Sequence, residues 1–583
     1  MLSPKKTRKP LGTWGVYDLE WNRETLAVTH AGMRDESGYR CHRTIKALVD
    51  DALECGGHWF AHAGGLYDIV QVLPHVISER PNARVEAAFS ASTAVLVRVE
   101  ENGKTALFAD SNMLIKGSVN EIGKIVGLAK GNLQEAERAG WAETRDYNER
   151  DCEILWVALH AFEERLQDLG GEMRITLASC AMLLFRSAYL TTDVRTNASA
   201  NQFAREAYTA SRVEPFRRWC KNAFYYDINS SFPYSMTFDA PGEQARVGTS
   251  WSGRELALVE ANVRVPEMYL PPLPFRFPNG GVFFPTGRWR GWFTGVDLIE
   301  AEKRGVVIER VHASIEYHPW NDLRAYAIDL YERRKAAKNE IDKMVFKLLL
   351  NSLYGKLAEN PEKEKLVVRP KDVPKHGVPY IPGAWLVKER RNIEHEHVPA
   401  AAIVTARSRH FLGAGLELAL DQGGEIYYSD TDSIVTSVRL PEDLVGSELG
   451  AWKLEYIVRD GIFLAPKLYS VTPMLEPGKQ GPLQPKIRAK GFRRPNWADF
   501  KDLMEGHVIQ RENFSRVRGM LALAGRGDDL EPKTITIEKT WRGITRPKRR
   551  PHGESDSRPW SVTELANKYE PPSTRWEPPN DVQ

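Results

Sequence analysis

The stretch of sequence that decides the fold is EIYYSDTDSIVTSV, residues 425–438. Apolar and polar residues alternate on both sides of a polar centre, which predicts a β-hairpin with acids at its tip. Asp430 and Asp432 are two positions apart at this turn, so their carboxylates can converge on one cation. Taken alone, such a pair is equally typical of a solvated turn.

A second strand-like segment, NAFYYDI at residues 222–228, places another acid, Asp227, near its end. Phosphoryl transfer requires divalent cations, about 3.5 to 4 Å apart when two are present, and carboxylates on adjacent strands can hold them. Asp227 beside Asp430 and Asp432 would form such a site. Mg²⁺ is the expected ion, with Mn²⁺ as an alternative.

Between these strands, residues 322–353 form a helical pattern without Gly or Pro, which predicts one long helix ending at Tyr354-Gly355. Ammonium groups on one helix face suit the phosphates of a nucleoside triphosphate, and an aromatic ring suits its base or sugar. An ordinary solvated, charged face is the alternative. The candidate side chains are Lys335, Lys343, Lys347, Asn351 and Tyr354, the last three at the spacing of a single face.

Residues 13–170 predict an α/β unit of short strands followed by an amphipathic helix from about 147 to 169. Four carboxylates can hold two ions, and a nearby Tyr hydroxyl can orient an attacking water. Each fragment alone is more typical of surface charge. The second acidic set consists of Asp18 and Glu20 in YDLE, Asp68 in GGLYD, and Tyr147 with Asp151 in YNERD.

Composition excludes several classes of protein. The 80 Lys and Arg nearly balance the 77 Asp and Glu, so overall charge does not argue for a polyanion partner. Five scattered Cys without a CxxC pair argue against a zinc ribbon and a disulfide framework, and favour a reducing cytoplasm. No stretch approaches the roughly 20 apolar residues of a membrane span, so we expect no membrane contact.

Three of these segments together resemble a known family. DINSSFP (227–233), KLLLNSLYG (347–355) and YSDTDS (428–433) match, in order, the A, B and C motifs of family B DNA polymerases. The resemblance covers about residues 13–520. Within the family, the chain most resembles the protein-primed polymerases of phages and linear plasmids. It implies an α+β multidomain fold, with an RNase H-like DEDD exonuclease domain before palm, fingers and thumb.

The resemblance assigns roles at the polymerase site. Asp227 and Asp432 would bind two metal ions with Asp430 in support, and Lys347 would meet the triphosphate. Phe232 stands where the family usually has the Tyr that blocks a ribose 2′-OH, and its ring should still exclude bulk. The implied nucleotide contacts are Ile228, Phe232, Lys335, Lys347, Asn351 and Tyr354. The implied DNA contacts are Ser111, Tyr208, Lys343, Arg409, Tyr428, Lys467 and Tyr469 of a KxY motif, and Lys490 of AKG.

At the exonuclease site, the resemblance implies metal binding by Asp18, Glu20, Asp68 and Asp151, and catalysis with Tyr147 and Lys130. Asp110-Ser111 would contact a single strand. Three departures from the family pattern lie nearby: Ala63-Gly64 where an Asn is usual, Trp21 where Thr is usual, and Tyr208-Thr209-Ala210-Ser211 in place of YxGG. We expect metal chemistry to survive and the handling of frayed ends to change.

The implied domain order is 1–170 exonuclease, 171–237 first part of the palm, 238–322 first insertion, 323–358 fingers, 359–397 second insertion, 398–505 second part of the palm, and 506–583 thumb and tail. Both insertions lie where protein-primed polymerases carry their terminal-protein regions, though long surface loops are the simpler alternative. The expected partners are template and primer DNA, dNTPs and a terminal protein, for a monomer in the host cytoplasm. A mitochondrial plasmid origin stays open.

The tail after Pro547 is expected to be loosely packed. Its basic positions, Arg546, Lys548, Arg549 and Arg550, and also Arg407 and Arg409, could meet phosphates. Trp541, Trp560 and Trp576 could stack on bases, although a place in a core is more typical. Three competing functions stay open. The chain could be a polymerase that uses a nucleic-acid primer or needs no primer, a DNA-binding nuclease with an inactive polymerase half, or a non-catalytic scaffold.

Overall fold

The computed structural model describes residues 2–5, 11–22, 24–90, 93–277, 280–478, 483–489, 495–514, 516–539 and 547–568. Within these ranges, the strands form sheets of ten, seven and four strands and three two-stranded sheets. None of the helices in the described ranges is both long and apolar enough to cross a membrane.

The N-terminal region is an α/β unit, as predicted. The final helix is confirmed and begins at Trp141, earlier than expected, because Gly140 caps its start. The elements are β1 Trp14–Trp21, β2 Val28–Asp35, β3 Gly38–His42, α1 Ile45–Cys55, β4 His58–Ala61, α2 Asp68–Glu79, β5 Arg84–Ser90, β6 Thr93–Glu101, β7 Lys104–Asp110, α3 Val119–Val126, α4 Leu133–Ala139 and α5 Trp141–Asp168.

The next region contains the predicted strand that carries Asp227 and a separate antiparallel sheet. The stretch 266–291 holds one hairpin with strands of two residues each and the start of a longer strand. The elements are α6 Leu177–Leu184, α7 Ala198–Ala207, β8 Val213–Pro215, β9 Trp219–Ile228, α8 Ser231–Met236, β10 Ala240–Gly248, β11 Ala257–Val265, β12 Phe275–Arg276, β13 Val282–Phe283, β14 Gly287–Thr294, α9 Gly295–Lys303 and β15 Val307–Trp320.

The prediction of a single helix over 322–353 is wrong, because the chain forms two packed helices. Ala337 adopts an extended conformation, and the Asn339 side chain accepts a hydrogen bond from Asp342 N at 2.8 Å, so it caps a new helix. The elements are α10 Asp322–Ala336, α11 Glu340–Leu350, α12 Tyr354–Leu357, β16 Glu362–Val368, β17 Gly377–Ile381, β18 Ala384–Arg390 and α13 Val398–Asp421.

The last region begins with the predicted hairpin, which is confirmed: β19 and β20 are joined by Thr431-Asp432. The elements are β19 Ile426–Asp430, β20 Ser433–Thr436, β21 Trp452–Ala465, β22 Leu468–Leu475, β23 Lys486–Ala489, α14 Trp497–Glu505, β24 Ile509–Phe514, α15 Val517–Ala524, β25 Thr534–Lys539, β26 Arg550–His552, β27 Asp556–Arg558 and α16 Val562–Lys568.

The largest sheet joins residues that are distant in the sequence. Its ten strands have the order β17-β18-β16-β5-β6-β7-β4-β1-β2-β3. Residues 359–397 therefore extend the N-terminal sheet, since Lys365 pairs with Ala88 and Val368 with Val85 across an antiparallel edge. Helix α15 packs on the same core through Val517. We call this ten-stranded sheet the N-terminal sheet.

Two further sheets complete the framework. The seven-stranded central sheet has the order β23-β22-β21-β9-β20-β19-β8, and the four-stranded sheet has the order β10-β15-β11-β14. In the central sheet, β9 lies between β20 and β21, so the strand carrying Asp227 is paired on both sides. The acid-bearing hairpin is therefore held in register by its neighbours.

The expectation of a loosely packed tail is wrong for residues 547–568. Trp560, Val562 and Leu565 are buried in one core with Trp289 of β14, so Trp560 cannot stack on a base in this structure. Arg549 is buried, and its guanidinium lies 3.6 Å from the Glu214 carboxylate. Trp541, Arg546 and Trp576 lie outside the described residues.

The other basic positions of the tail also have partners within the chain. Lys548 Nζ donates to the Val282 carbonyl, and Arg550 pairs with Glu564. The burial of Arg549 contradicts its predicted phosphate contact, whereas phosphate contact by Lys548 and by the exposed Arg550 stays a prediction.

Candidate functional site

The central sheet brings Asp227, Asp430 and Asp432 together, and we call these three residues the central cluster. Asp227 of β9 is the register partner of Ser433 in β20. The Ile228 N–H donates to the Asp432 carbonyl at 2.8 Å, which fixes the hairpin tip beside the end of β9. Thr431 has a φ of 67°, the left-handed conformation that lets the chain turn within two residues.

Carboxylates are crowded in the central cluster. Burial raises the pKa of Asp227 to about 8, with the neighbouring Asp432 charge adding to the effect and Lys347 opposing it. Burial and the charge of Asp430 raise the pKa of Asp432 to about 6. The lysines near the site therefore do not balance the charge of its three acids. A divalent cation held by Asp227 and Asp432 would supply the balancing charge, so these oxygen ligands fit a magnesium-type ion.

Lys467 is held against this cluster. Its Nζ donates to Asp430 at 2.7 Å, and its backbone N–H donates to the Tyr428 hydroxyl at 2.9 Å. Tyr428 is fully buried, and Tyr469 is 6% exposed with its hydroxyl 3.2 Å from that of Tyr225. The full burial of Tyr428 contradicts its predicted DNA contact, and the contact predicted for Tyr469 stays a prediction.

Helix α11 directs Lys347 toward the cluster, but the predicted single face is interrupted. Asn351 ends the helix, and its Nδ2 donates to the Lys347 carbonyl at 2.7 Å. Tyr354 lies on the separate helix α12, where its ring stacks on Phe232 at 4.3 Å between centroids. The structure therefore brings together the two rings that the sequence assigned to the nucleotide. The Ile228 side chain is buried, so only its backbone faces the site.

Three other predicted contacts have partners within the chain. Lys335 pairs with Glu448 at 3.0 Å and Lys343 with Glu340 at 2.8 Å, both at exposed positions. Arg409 is buried against Asp297 at 3.0 Å and donates to the Thr209 carbonyl.

The prediction that Arg409 contacts DNA is therefore corrected, because its charge joins α9 to residues 208–211. Arg407 is likewise buried, with its Nε 2.6 Å from Glu255. Lys490 lies outside the described residues.

The N-terminal sheet forms a second acidic group. Asp18 and Glu20 alternate along β1 and so face the same side, and Asp151 approaches them from α5. Their ligand atoms all lie within 4.8 Å of one another. We call these three residues the N-terminal cluster. Asp68 is buried, its Oδ1 accepts from the Leu19 N–H at 3.0 Å, and burial with the charge of Asp18 raises its pKa, so its role as a further ligand stays a prediction.

The N-terminal cluster is also short of positive charge. Burial and the charge of Asp18 raise the pKa of Glu20 to about 10, and burial with the charge of Asp151 raises the pKa of Asp18 to about 7. Lys130 opposes both effects and pairs with Asp151. Its Nζ also lies 5.1 Å from the centre of the Tyr147 ring. Three converging carboxylates with raised pKa values fit a divalent cation.

Sequence reasoning missed the residues that hold Asp18. Asn148 is fully buried, and its Nδ2 donates to the Asp18 carbonyl at 3.0 Å and to Oδ2 at 2.8 Å. The Tyr39 hydroxyl donates to Asn148 Oδ1 at 2.9 Å. A Cβ at Gly32 would overlap that oxygen, so only glycine leaves room for the network. Asn148 stands inside YNERD and could have been noticed, whereas Tyr39 and Gly32 carry no local signal.

Several known proteins are similar to this chain in sequence. Residues 131–399 match the family described as DNA polymerase type B, organellar and viral. A probable DNA polymerase of Podospora anserina is 31% identical over 377 residues, which are 56% of this chain and 31% of that protein. The DNA-directed DNA polymerase of Enterobacteria phage PRD1 is 24% identical over 460 residues, which are 72% of this chain and 76% of that protein.

The chain is thus similar to the organellar and viral type B DNA polymerases. Phi29 DNA polymerase complexed with primer-template DNA superposes with a TM-score of 0.69 at 18% identity, covering 90% of this chain and 100% of that one. This likeness establishes the multidomain polymerase fold. The resemblance predicted from the three motifs is therefore confirmed. The chain spans 31% to 40% of the length of its fungal relatives, including those of Podospora anserina and Agaricus bitorquis.

The positions that depart from the type B pattern have contacts of their own. Trp21 stacks on Tyr67 with ring centroids 6.2 Å apart, beside the N-terminal cluster. Ala63 adopts a φ of 55°, in the left-handed region. Tyr67 is 38% exposed, so this aromatic pair presents a surface on which a nucleobase could stack.

Two predicted single-strand contacts are less accessible. Ser111 is fully buried, with its Oγ 3.0 Å from His62 Nδ1, which corrects its assignment as a DNA contact. Tyr208 is half-buried, and its carbonyl accepts from Arg276 at 3.2 Å.

Proposed function

We propose that this chain is a DNA-directed DNA polymerase that also removes nucleotides from 3′ ends. The observation that carries the proposal is the register of β9 and β20, which brings Asp227 beside the hairpin tip of Asp432, where the charge of Lys347 acts to lower the pKa of Asp227. Acids in this arrangement, together with a cation for the triphosphate, suit nucleotidyl transfer to a 3′-OH under template direction. The type B relatives support the same function.

Each residue of the central cluster has a defined task in this proposal. When bound by Asp227 and Asp432, two Mg²⁺ ions would activate the 3′-OH and stabilise the leaving pyrophosphate. Lys347 would orient the triphosphate, and the stacked Phe232 and Tyr354 would bound the space for the sugar. Lys467 holds Asp430 and remains exposed enough to meet the primer phosphate.

The N-terminal cluster is proposed to hydrolyse 3′-terminal nucleotides. Asp18, Glu20 and Asp151 would hold the metal with Asp68 as the fourth acid, and the Tyr147 hydroxyl beside Lys130 would position the attacking water. The residue range 1–170 would then be the exonuclease domain, and 171–237 with 398–505 the palm. The fingers would be 323–358, and the thumb with the tail 506–583.

Priming by a protein hydroxyl is the second part of the proposal. Residues 238–322 and 359–397 would be the two terminal-protein regions, and the phage relatives support this branch. The second region pairs with the N-terminal sheet, which would close a passage around DNA and give processive, strand-displacing synthesis. A nucleic-acid primer is the alternative, and a monomer in a bacterial or mitochondrial setting remains a prediction.

Extension of a primed single-stranded circle tests the proposal. The reaction contains all four dNTPs and Mg²⁺, and it compares the unaltered chain with Asp432→Asn. Product longer than the circle, made by the unaltered chain alone, is the expected result and would establish strand displacement as well. A chain that degrades the primer but never extends it, even with Mn²⁺ and a range of primers, would overturn the polymerase assignment in favour of a nuclease.

A further inference from the structure

A large cavity is lined by residues that belong to neither acidic cluster. It has a volume of about 850 Å³ and is enclosed by α7, the loop around β12, strand β14 and the C-terminal helix α16. Aromatic rings line it: Phe203, Phe275, Phe277, Trp289 and Trp292. A cavity walled by several aromatic side chains suits an extended proline-rich segment, because such segments present flat apolar faces at little entropic cost.

A proline-rich segment follows, in the sequence, the helix that forms part of the cavity wall. Helix α16 ends at Lys568, and its residues Val562 and Ala566 line the cavity. The next residues, 569–583, are YEPPSTRWEPPNDVQ, with two Pro-Pro pairs and Trp576 between them. In a polyproline conformation, the stretch from Lys568 to Trp576 could extend roughly 25 Å, so the cavity is within reach.

The arginines of the cavity lining already have acidic partners. Arg205 pairs with Glu396, Arg276 with Glu206 and Arg290 with Glu260. The segment 569–583 is therefore favoured by its prolines and by its attachment to α16 rather than by charge.

We propose that the cavity is the docking site for the proline-rich segment 569–583 of the same chain, with the Trp576 ring seated among its aromatic walls. The tether would supply an effective concentration on the order of millimolar, so even weak contacts keep the cavity filled. The docked segment would tie α7, which leads into residues 208–211, to the four-stranded sheet. This inference does not depend on the polymerase proposal.

Photo-crosslinking of the full chain tests the inference. Benzoylphenylalanine replaces Trp576, and after irradiation the attachment sites are mapped by mass spectrometry. The expected crosslinks join position 576 to segments 199–206 or 274–292 of the same molecule, with a yield that does not change with protein concentration. Crosslinks elsewhere, or crosslinks only between molecules, would overturn the proposal, the latter in favour of a second copy as occupant.

A matched pair of variants separates docking from proximity. Ala566→Trp fills the cavity and should abolish these crosslinks, whereas Thr563→Trp, exposed on the same helix and outside the lining, should leave them intact. Persistence in Ala566→Trp would contradict docking. Because Ala566→Trp could disturb folding, free peptide 569–583 is also added to the unaltered photo-probe chain. Millimolar peptide should compete, and a peptide with its four prolines changed to Ala should compete less. Equal competition by both would contradict recognition of the proline segment.

Discussion

The central cluster takes its acids from neighbouring strands, whereas the N-terminal cluster takes them from one strand and one helix. In the central sheet, the pairing of Asp227 with Ser433 fixes the geometry through backbone hydrogen bonds. In the N-terminal cluster, Asp18 and Asp151 are 133 positions apart and meet only because α5 packs on β1. Side chains must then supply the alignment that the ladder supplies in the central sheet.

This difference explains where each cluster has its supporting contacts. Asn148 and Tyr39 hold Asp18 through a buried chain of hydrogen bonds. The backbone N–H of Ile228 serves the same purpose for Asp432. We therefore expect the N-terminal cluster to be more sensitive to substitution of supporting side chains, and the central cluster to be sensitive chiefly to loss of its own acids.

Loss of one acid from each cluster should give the largest effect. Asp432→Asn keeps the shape but removes a metal ligand, so nucleotide addition should fall by about 10²- to 10³-fold or more while 3′ degradation persists. Asp18→Asn should do the converse. Both activities are measured on one labelled primer, with and without dNTPs. If either variant lost both activities equally, the clusters would not be separate sites.

Loss of a supporting side chain should distinguish the two clusters. Asn148→Ala removes the donor to Asp18, and we expect degradation and Mn²⁺ binding at this cluster to weaken by about 10- to 100-fold. Tyr39→Phe acts one bond further away and should cost less. Metal binding is measured by electron paramagnetic resonance, which does not depend on activity. Unchanged Mn²⁺ affinity in Asn148→Ala would show that the network is merely structural.

The two lysines should differ in a smaller but measurable way. The Lys130 side chain is 24% exposed and that of Lys467 is 53% exposed, so the second pair is better screened. Lys130→Met raises the pKa of Asp18 and Glu20, because the ammonium lowers both, and the pH profile of degradation should move to higher pH. Lys467→Met should reduce nucleotide addition only modestly, and less at high salt. A pH profile unmoved by Lys130→Met would contradict this assignment.

The smallest effect is expected in stability without metal. The pKa of Asp227 is raised to about 8 from 3.8, so the folded state binds more protons than the unfolded state between these pH values. Stability conferred by the protonated carboxyl is therefore present at low pH and lost as pH rises through about 8. Asp227→Asn removes this dependence. At pH 8 with EDTA it should be more stable than the unaltered chain by on the order of 1 kcal/mol, with little difference at pH 4.

Thermal unfolding at both pH values checks this expectation, and added Mg²⁺ provides the contrast. Metal binding should stabilise the unaltered chain at pH 8 and should do so less in Asp227→Asn. Equal melting temperatures of the two chains at pH 8 in EDTA would show that the ionised Asp227 carboxylate does not destabilise the folded state.

The sequence was sufficient for features set by neighbouring residues. The hairpin at 425–438 follows from local alternation, and the three motifs around Asp227, Lys347 and Asp432 point to one site. The break between α10 and α11 was missed because Asn339 interrupts no apolar pattern. Its capping role depends on a backbone angle that the letters do not reveal.

Features set by tertiary packing could not be read in this way. Arg409 carries the charge expected of a phosphate contact, yet the buried carboxylate of Asp297 neutralises that charge. Tyr428 is adjacent to the cluster in sequence, but it is fully buried in a strand whose first four residues are all buried. Asn148 gains its role from Tyr39 and Gly32, which belong to other strands. Position in a motif thus predicted which acids gather, and not which neighbours hold them.

The N-terminal sheet carries a consequence for how the chain is made. Its strand β5 is completed by β16, and the paired residues Ala88 and Lys365 are 277 positions apart. At a synthesis rate of about 5 to 20 residues per second, β5 waits roughly 15 to 55 s on the ribosome with its edge unpaired. Unpaired edges recruit other strands, so the nascent chain passes through an aggregation-prone interval. Slow translation, or expression at a high level, should therefore lower the yield of soluble protein. The activity of the molecules that do fold should not change.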